Sequence, residues 1–151
     1  GVFISLVVEK NHLKECVAGG FDGFYTYFAV DKFGWGSTWK NFGSQQKFAD
    51  QNRLQFYPSV GPGYDDTRVR PWNSANTRSR EGGRYYARAF QALLSAKSSR
   101  VTLTSWNEWH EGTQIEEATP KKGYPDYSPG GEDFYLKETR KHLLAWAESQ
   151  P

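Results

Sequence analysis

Methionine is absent from the 151 residues, cysteine occurs once, at Cys16, and histidine three times. One cysteine excludes an internal disulfide and any zinc cluster built on thiolates. With so few histidines and no HExxH pattern, the common metal-ligand spacings are also missing, so neither a metal nor a cofactor is expected. No uninterrupted apolar run approaches the roughly 20 residues of a transmembrane helix, and this segment is expected to make no membrane contact. Charge of one sign is scarce: 19 Lys and Arg against 17 Asp and Glu leave a net of +2. A nucleic-acid binder usually carries a surplus of positive charge, so no nucleic acid is expected as partner. GxSxG, P-loop and CxxC motifs do not occur. The lack of Met, and of a charged-then-apolar leader before Val2–Val8, reads as a piece of a longer protein.

What the chain has instead is aromatic side chains, 17% of all residues. Groups that large bury enough area to offset chain entropy, so the sequence reads as a folded domain with a real core. The pattern alternates strands and helices. The β-branched run Val2–Val8 reads as a strand buried on both faces, and Asn11 as the cap of a helix over His12–Ala18 closed by Gly19-Gly20. Gly23–Phe28 is a second strand. Ser37 or Thr38 is expected to cap a helix reaching Asn52, with Trp39, Phe42 and Ala49 on one side. Leu54–Val60 is a third strand, stopped by Gly61-Pro62-Gly63, and a polar loop fills 64–83. Tyr86, Phe90, Leu93 and Lys97 repeat at helical spacing. Val101–Trp106 is a fourth strand, and the last helix is expected over Asp133–Ser149 with Leu136, Leu143 and Ala147 on one face. Four βα units of this kind imply a parallel sheet, either half of a (β/α)₈ barrel or an open four-stranded sheet.

In parallel α/β proteins ligands sit at the carboxyl ends of the strands. Here those ends are followed by Tyr25, Tyr27 and Trp35, then by Tyr64, Arg68, Arg70, Trp72, Asn73, Asn76 and Arg78, and finally by Trp106-Asn107-Glu108-Trp109-His110-Glu111-Gly112. Aromatic faces mixed with Arg, Asn and carboxylates suit a sugar, which offers an apolar C–H face and forked hydroxyls. Tyr27, Tyr64, Arg70, Trp72, Asn107, Trp109 and His110 are the candidate contacts. Glu108 and Glu111 are the candidate catalytic pair, since glycosidic hydrolysis commonly uses one protonated and one ionised carboxyl group. On a continuing strand the two would face opposite ways, whereas a turn near Trp109 brings both to one side. Mutual repulsion and the flanking tryptophans should then raise one pKa toward an acid's role. The arginines at 68, 70, 78, 80, 84 and 88 read mostly as surface pairs, and Tyr25 and Tyr27 as sharing one strand face.

Asp22-Gly23-Phe24-Tyr25-Thr26-Tyr27-Phe28, Pro58–Tyr64, Arg70-Pro71-Trp72-Asn73 with Asn76-Thr77-Arg78, and Trp106–Glu116 together resemble the endo-α-1,2-mannosidases of glycoside hydrolase family 99. The resemblance implies a (β/α)₈ barrel of which residues 1–151 are the C-terminal half of a single catalytic domain. It implies cleavage within a mannose-containing glycan, a high-mannose N-glycan or an α-mannan, by a metal-independent step. Glu111 resembles the family's general acid/base and Glu108 the base acting on the substrate's own 2-hydroxyl; Arg70 and Tyr27 resemble substrate-binding positions. Animal members are lumenal in the Golgi, held by an N-terminal anchor, and bacterial ones are exported. Two alternatives stay open at this point: a mannose-binding remnant without turnover, and a phosphate- or nucleic-acid-binding α/β domain using the arginine cluster.

Overall fold

The computed structural model describes residues 1–150. Strands and helices alternate as β1 (Ile4–Leu6), α1 (His12–Ala18), β2 (Gly23–Tyr25), α2 (Phe42–Asn52), β3 (Gln55–Tyr57), β4 (Ser59–Val60), α3 (Arg84–Ala96), β5 (Thr102–Leu103) and α4 (Phe134–Glu148). All pairings are parallel: Ile4 lies opposite Gly23, Phe24 opposite Phe56, and Val60 opposite Leu103. The expected third strand is divided at Pro58, which has no N–H to give a ladder. Its first half pairs with β2 and its second with β5. The Ser59 N–H beyond the break is taken up by the Thr26 hydroxyl at 2.9 Å, and the Pro58 carbonyl still accepts from Thr102 N–H at 3.0 Å. Four sequential strand positions therefore run side by side, with α1, α2 and α3 packed on β2, β3 and β4 and α4 packed on α3.

Two apolar clusters hold the layers together. Val7, Leu13, Cys16, Phe24, Phe42, Ala49 and Phe56 join β1–β3 to α1 and α2, with the Phe24 and Phe56 rings 5.0 Å apart. Val60, Tyr86, Ala89, Phe90, Leu93, Ile115, Tyr127 and Tyr135 join β4 to α3, α4 and the long loops; Trp39 touches both. The apolar stripe of α3 is as expected over Tyr86, Phe90 and Leu93, but Lys97 leaves it, because the helix ends there in a left-handed residue (φ 56°).

Several expectations are corrected. β1 is not buried on both faces: Val2, Phe3 and Leu6 are exposed, because β1 has a sheet neighbour on one side only among the described residues. Asn11 does not cap α1; its side chain donates to Glu15, while the His12 ring accepts from the Val8 and Glu9 N–H groups. Ser37 and Thr38 are spent on Gly34 instead of capping α2. The face that α4 buries is Tyr135, Thr139, His142, Leu143 and Trp146, whereas Ala147 is exposed. Polar Thr139 and His142 fit that face because Thr139 meets the Tyr86 hydroxyl and His142 stacks on Phe90 at 4.8 Å. Tyr25 and Tyr27 do not alternate on one strand, since β2 stops at Tyr25 and Tyr27 turns into the left-handed region (φ 53°).

Candidate active site

The strand ends supply the site. After β2, the Phe28 N–H closes back on the Thr26 carbonyl at 2.6 Å, a three-residue turn centred on Tyr27. The Tyr27 carbonyl accepts from the Thr104 hydroxyl at 2.6 Å, just beyond β5. Its phenol donates to Glu111 Oε2 at 3.4 Å. After β4 the chain passes so close to the end of β5 that a Cβ on Gly61 would lie 2.2 Å from the Thr104 carbonyl oxygen, so only glycine fits. The expected plain loop is organised: Tyr64 and Arg78 form an antiparallel bridge, and Pro71–Asn76 makes a 3-10 turn.

Inside that loop lies a fully buried carboxylate, Asp66. It accepts from Arg70 Nη1 at 3.0 Å and from the Asn73 amide at 2.9 Å, and the Tyr64 phenol is its neighbour. Burial pushes its pKa up, but the hydrogen bonds from Asn73, Arg70 and Tyr64 outweigh that and hold it below the usual carboxylate value. The same Arg70 nitrogen stands 3.6 Å from Glu111 Oε1.

The segment after β5 folds into a tight closed loop. Ser105 N–H donates to the Thr113 carbonyl, their hydroxyls meet at 2.7 Å, and the Ser105 hydroxyl accepts from Glu108 N–H at 2.9 Å. The turn expected near Trp109 is a 3-10 turn over Trp109–Glu111, ended by Gly112 in the left-handed region. Both glutamates consequently act on the same phenol, Tyr27, whose pKa is raised by burial and by the charges of Glu111 and Glu108. Glu111 itself is raised, first by burial and then by the Glu108 charge, with Arg70 and Tyr27 opposing. A carboxyl group that holds its proton more tightly than usual, with a second carboxyl group close by, is the pairing that acid-assisted cleavage of an acetal needs.

Behind the loop sits Arg80, only 6% exposed. Its Nη2 donates to the carbonyls of Gly112 at 3.1 Å and Gln114 at 2.7 Å, and its guanidinium lies 4.3 Å from the Tyr135 ring centre. The Asp65 N–H donates to the Glu111 carbonyl at 2.9 Å. The expectation of a surface arginine is therefore wrong for Arg80, which is the rear brace of the glutamate loop.

Of the candidate contacts, Tyr27, Tyr64 and Arg70 gather at Glu111 directly or through Asp66. Trp72 is 79% exposed on the 3-10 turn, and Asn107 and His110 are exposed on the glutamate loop. Trp109 is turned back: its indole donates to Glu116 at 2.5 Å and stacks on Tyr127. Two clefts near the loop lie off the glutamates, one of about 450 Å³ along Arg78–Gly82 and Pro125–Pro129, another of about 250 Å³ beside Trp109 and Tyr124. No three His, Cys, Asp or Glu side chains converge as a metal site among the described residues. Sequence reading missed Asp66 and Arg80. Asp66 left one trace, standing four residues before Arg70; Arg80 left none, since its partners lie more than thirty positions away.

Sequential parallel strands joined by helices, with acids, an arginine and tyrosines at their carboxyl ends, fit part of a (β/α)₈ barrel. The family model for glycosyl hydrolase family 99 matches residues 1–148, and the chain belongs to that family. A glycoprotein endo-alpha-1,2-mannosidase-like protein of Danio rerio is 53% identical over 98% of this chain and 34% of its own length. A glycoprotein endo-alpha-1,2-mannosidase of Xenopus laevis is 49% identical over 98% of this chain and 33% of its own. The solved GH99 endo-alpha-mannosidase of Bacteroides thetaiotaomicron superposes with a TM-score of 0.94 at 42% identity, covering all of this chain and 46% of that one. The chain thus spans about a third of the length of the curated relatives it matches, and it has the partial barrel of the solved one.

Proposed function

We propose that this chain carries the catalytic carboxyl groups of a retaining endo-α-1,2-mannosidase acting on glucosylated high-mannose N-glycans. The observation that carries the reading is Glu111: a half-buried carboxyl group with a raised pKa, coupled to Glu108 and flanked by Arg70 and Tyr27 at the strand ends. The names of the relatives support the bond and the sugar.

The chemistry follows from the substrate's stereochemistry. In an α-mannoside the 2-oxygen lies trans to the leaving group. Glu108 takes the 2-hydroxyl proton, O2 attacks C1 from behind, and the bond from C1 to the leaving oxygen breaks as Glu111 protonates that oxygen. The intermediate is a 1,2-anhydro sugar. Glu111, now ionised, draws a proton from water, the water oxygen bonds to C1, and O2 recovers its proton from Glu108, with net retention. Arg70 and Tyr27, which flank Glu111, are the proposed mannose contacts, with Tyr64, Trp72, Asn107, Trp109 and His110 as further proposed contacts. For an animal protein this work belongs in the Golgi lumen, for a bacterial one outside the cell.

The test uses the full-length protein and an α-1,2-linked mannoside substrate. Glu108→Gln and Glu111→Gln should each lower turnover by about 10²–10⁴-fold or more with the fold retained. Wild-type-like turnover in either variant removes that residue from its role. A sugar ester trapped on Glu108 with a substrate lacking the 2-hydroxyl would replace internal attack by a nucleophilic carboxylate.

A further inference from the structure

Arg70 is shared unequally between two acids. Its Nη1 is 3.0 Å from Asp66 Oδ2, within hydrogen-bond distance, and 3.6 Å from Glu111 Oε1, outside it. Asp66 is fully buried and Arg70 about half exposed, so the immobile partner of the pair is the aspartate. The backbone reinforces the arrangement: the Arg70 N–H donates to the Asp66 carbonyl at 2.7 Å, and the Asn73 amide bonds the Asp66 carboxylate while its own oxygen accepts from Asn76. An unrestrained guanidinium this near Glu111 would form a bidentate pair with it, and a carboxylate so paired loses its proton well below neutrality.

We propose that Asp66 is a positioning residue that holds Arg70 beside Glu111 without letting it pair fully, leaving the Glu111 carboxyl free to keep its proton. This deepens the reading of Glu111 as the acid and rests on it. The groups that face Glu111 are Glu108 on its own loop, Tyr27 after β2, and Tyr64, Asp66 and Arg70 from the loop after β4. Among them Glu108 and Asp66 favour the protonated form, and Arg70 and Tyr27 oppose it. Asp66 thus acts twice, by its own charge and by restraining the cation that opposes it. Its hydrogen bonds keep it ionised, as both actions require.

The test reads the proton on Glu111 directly, so it does not depend on turnover. The full-length protein is labelled with ¹³C at the glutamate carboxyl groups, Glu111→Gln assigns the resonance, and its chemical shift is followed against pH. In Asp66→Asn the Glu111 midpoint should fall by roughly one pH unit, the size expected for losing one nearby charge and gaining a closer cation. A folded Asp66→Asn protein with an unmoved or raised midpoint overturns the proposal. If that variant does not fold, Arg70→Gln decides: with Arg70 committed to Asp66, the midpoint should rise by less than about one pH unit. A larger rise would mean that Arg70 serves Glu111 first and overturns the proposal. Failure of the mannosidase reading would instead appear as absent hydrolysis by the wild type, whatever these midpoints do.

Discussion

Replacing Arg80 by Met tests whether the glutamate loop is braced from behind. The substitution conserves much of the volume and removes two charge-assisted hydrogen bonds, to the Gly112 and Gln114 carbonyls. Each is worth about 1.5–3 kcal/mol net, and leaving a buried carbonyl unpaired costs a similar amount. The guanidinium against Tyr135 adds about 0.5–2 kcal/mol. Opposing these are the desolvation of the charge and the buried, unpaired Arg80 Nε and Nη1, neither of which the variant bears. Burial does lower the Arg80 pKa, although the rings of Tyr135 and Tyr127 and the charge of Asp126 counter it. A relieved penalty of several kcal/mol leaves a net loss of about 2–4 kcal/mol. Urea unfolding at constant slope reads this as a lower midpoint. Arg80→Lys keeps the charge but not the fork and should recover less than half. A loss below about 1 kcal/mol in Arg80→Met would refute the brace, because the relieved desolvation would then match everything the two hydrogen bonds contribute.

Glu108→Gln removes a negative charge that favours the protonated form of Glu111; the Glu111 carboxyl should then titrate at lower pH in the labelled protein, and an unchanged midpoint would mean the two acids do not interact. Gly112→Ala places a Cβ 2.9 Å from the Asp65 nitrogen at a φ of 63°; it should cost about 1–3 kcal/mol by denaturant unfolding. Because the Asp66 pKa is depressed on folding, its stabilisation is present above the unfolded carboxylate value of about 3.9 and is lost as pH falls through the lower folded value. Asp66→Asn should therefore flatten the acid side of the stability-against-pH curve. Phe56→Ala, at the centre of the β1–β3 cluster, should cost about 3–5 kcal/mol.

The alternation of strands and helices was legible because each element carries its own signal. A β-branched run, a glycine pair and a stripe at helical spacing all act over a few residues. The strand ends were not legible. Pro58 announces a missing N–H, but that the ladder would change partners there depends on β5, forty residues on. The turn near Trp109 was readable because Trp106–Gly112 is contiguous, and it brings the charges of Glu108 and Glu111 to bear on the same phenol, Tyr27. Asp66 and Arg80 escaped because their meaning is tertiary. In sequence one is an acid amid acids and the other a base amid bases. Burial, which no local pattern states for a charged residue, separates Arg80 from the exposed Arg84.

The shortness of the strands and the strain at the mouth have one origin. β2 could continue through Tyr27, and alternation would then send Tyr25 and Tyr27 to the same face. Instead Tyr27 adopts a positive φ, which for such a side chain costs on the order of 1–3 kcal/mol. A conformation of that kind persists only where its surroundings over-determine it. Here the Thr104 hydroxyl fixes the Tyr27 carbonyl, Phe28 closes the turn, and Ser59 ties the Thr26 hydroxyl down. Thr104 itself immediately precedes the loop that carries Glu108 and Glu111. The bond that keeps Tyr27 out of the sheet therefore also fixes the start of the glutamate loop, and the phenol swung aside by that turn is the one that reaches Glu111. β2 ends at Tyr25 because the turn held by Thr104 and Phe28 takes Tyr27 out of the sheet and toward Glu111.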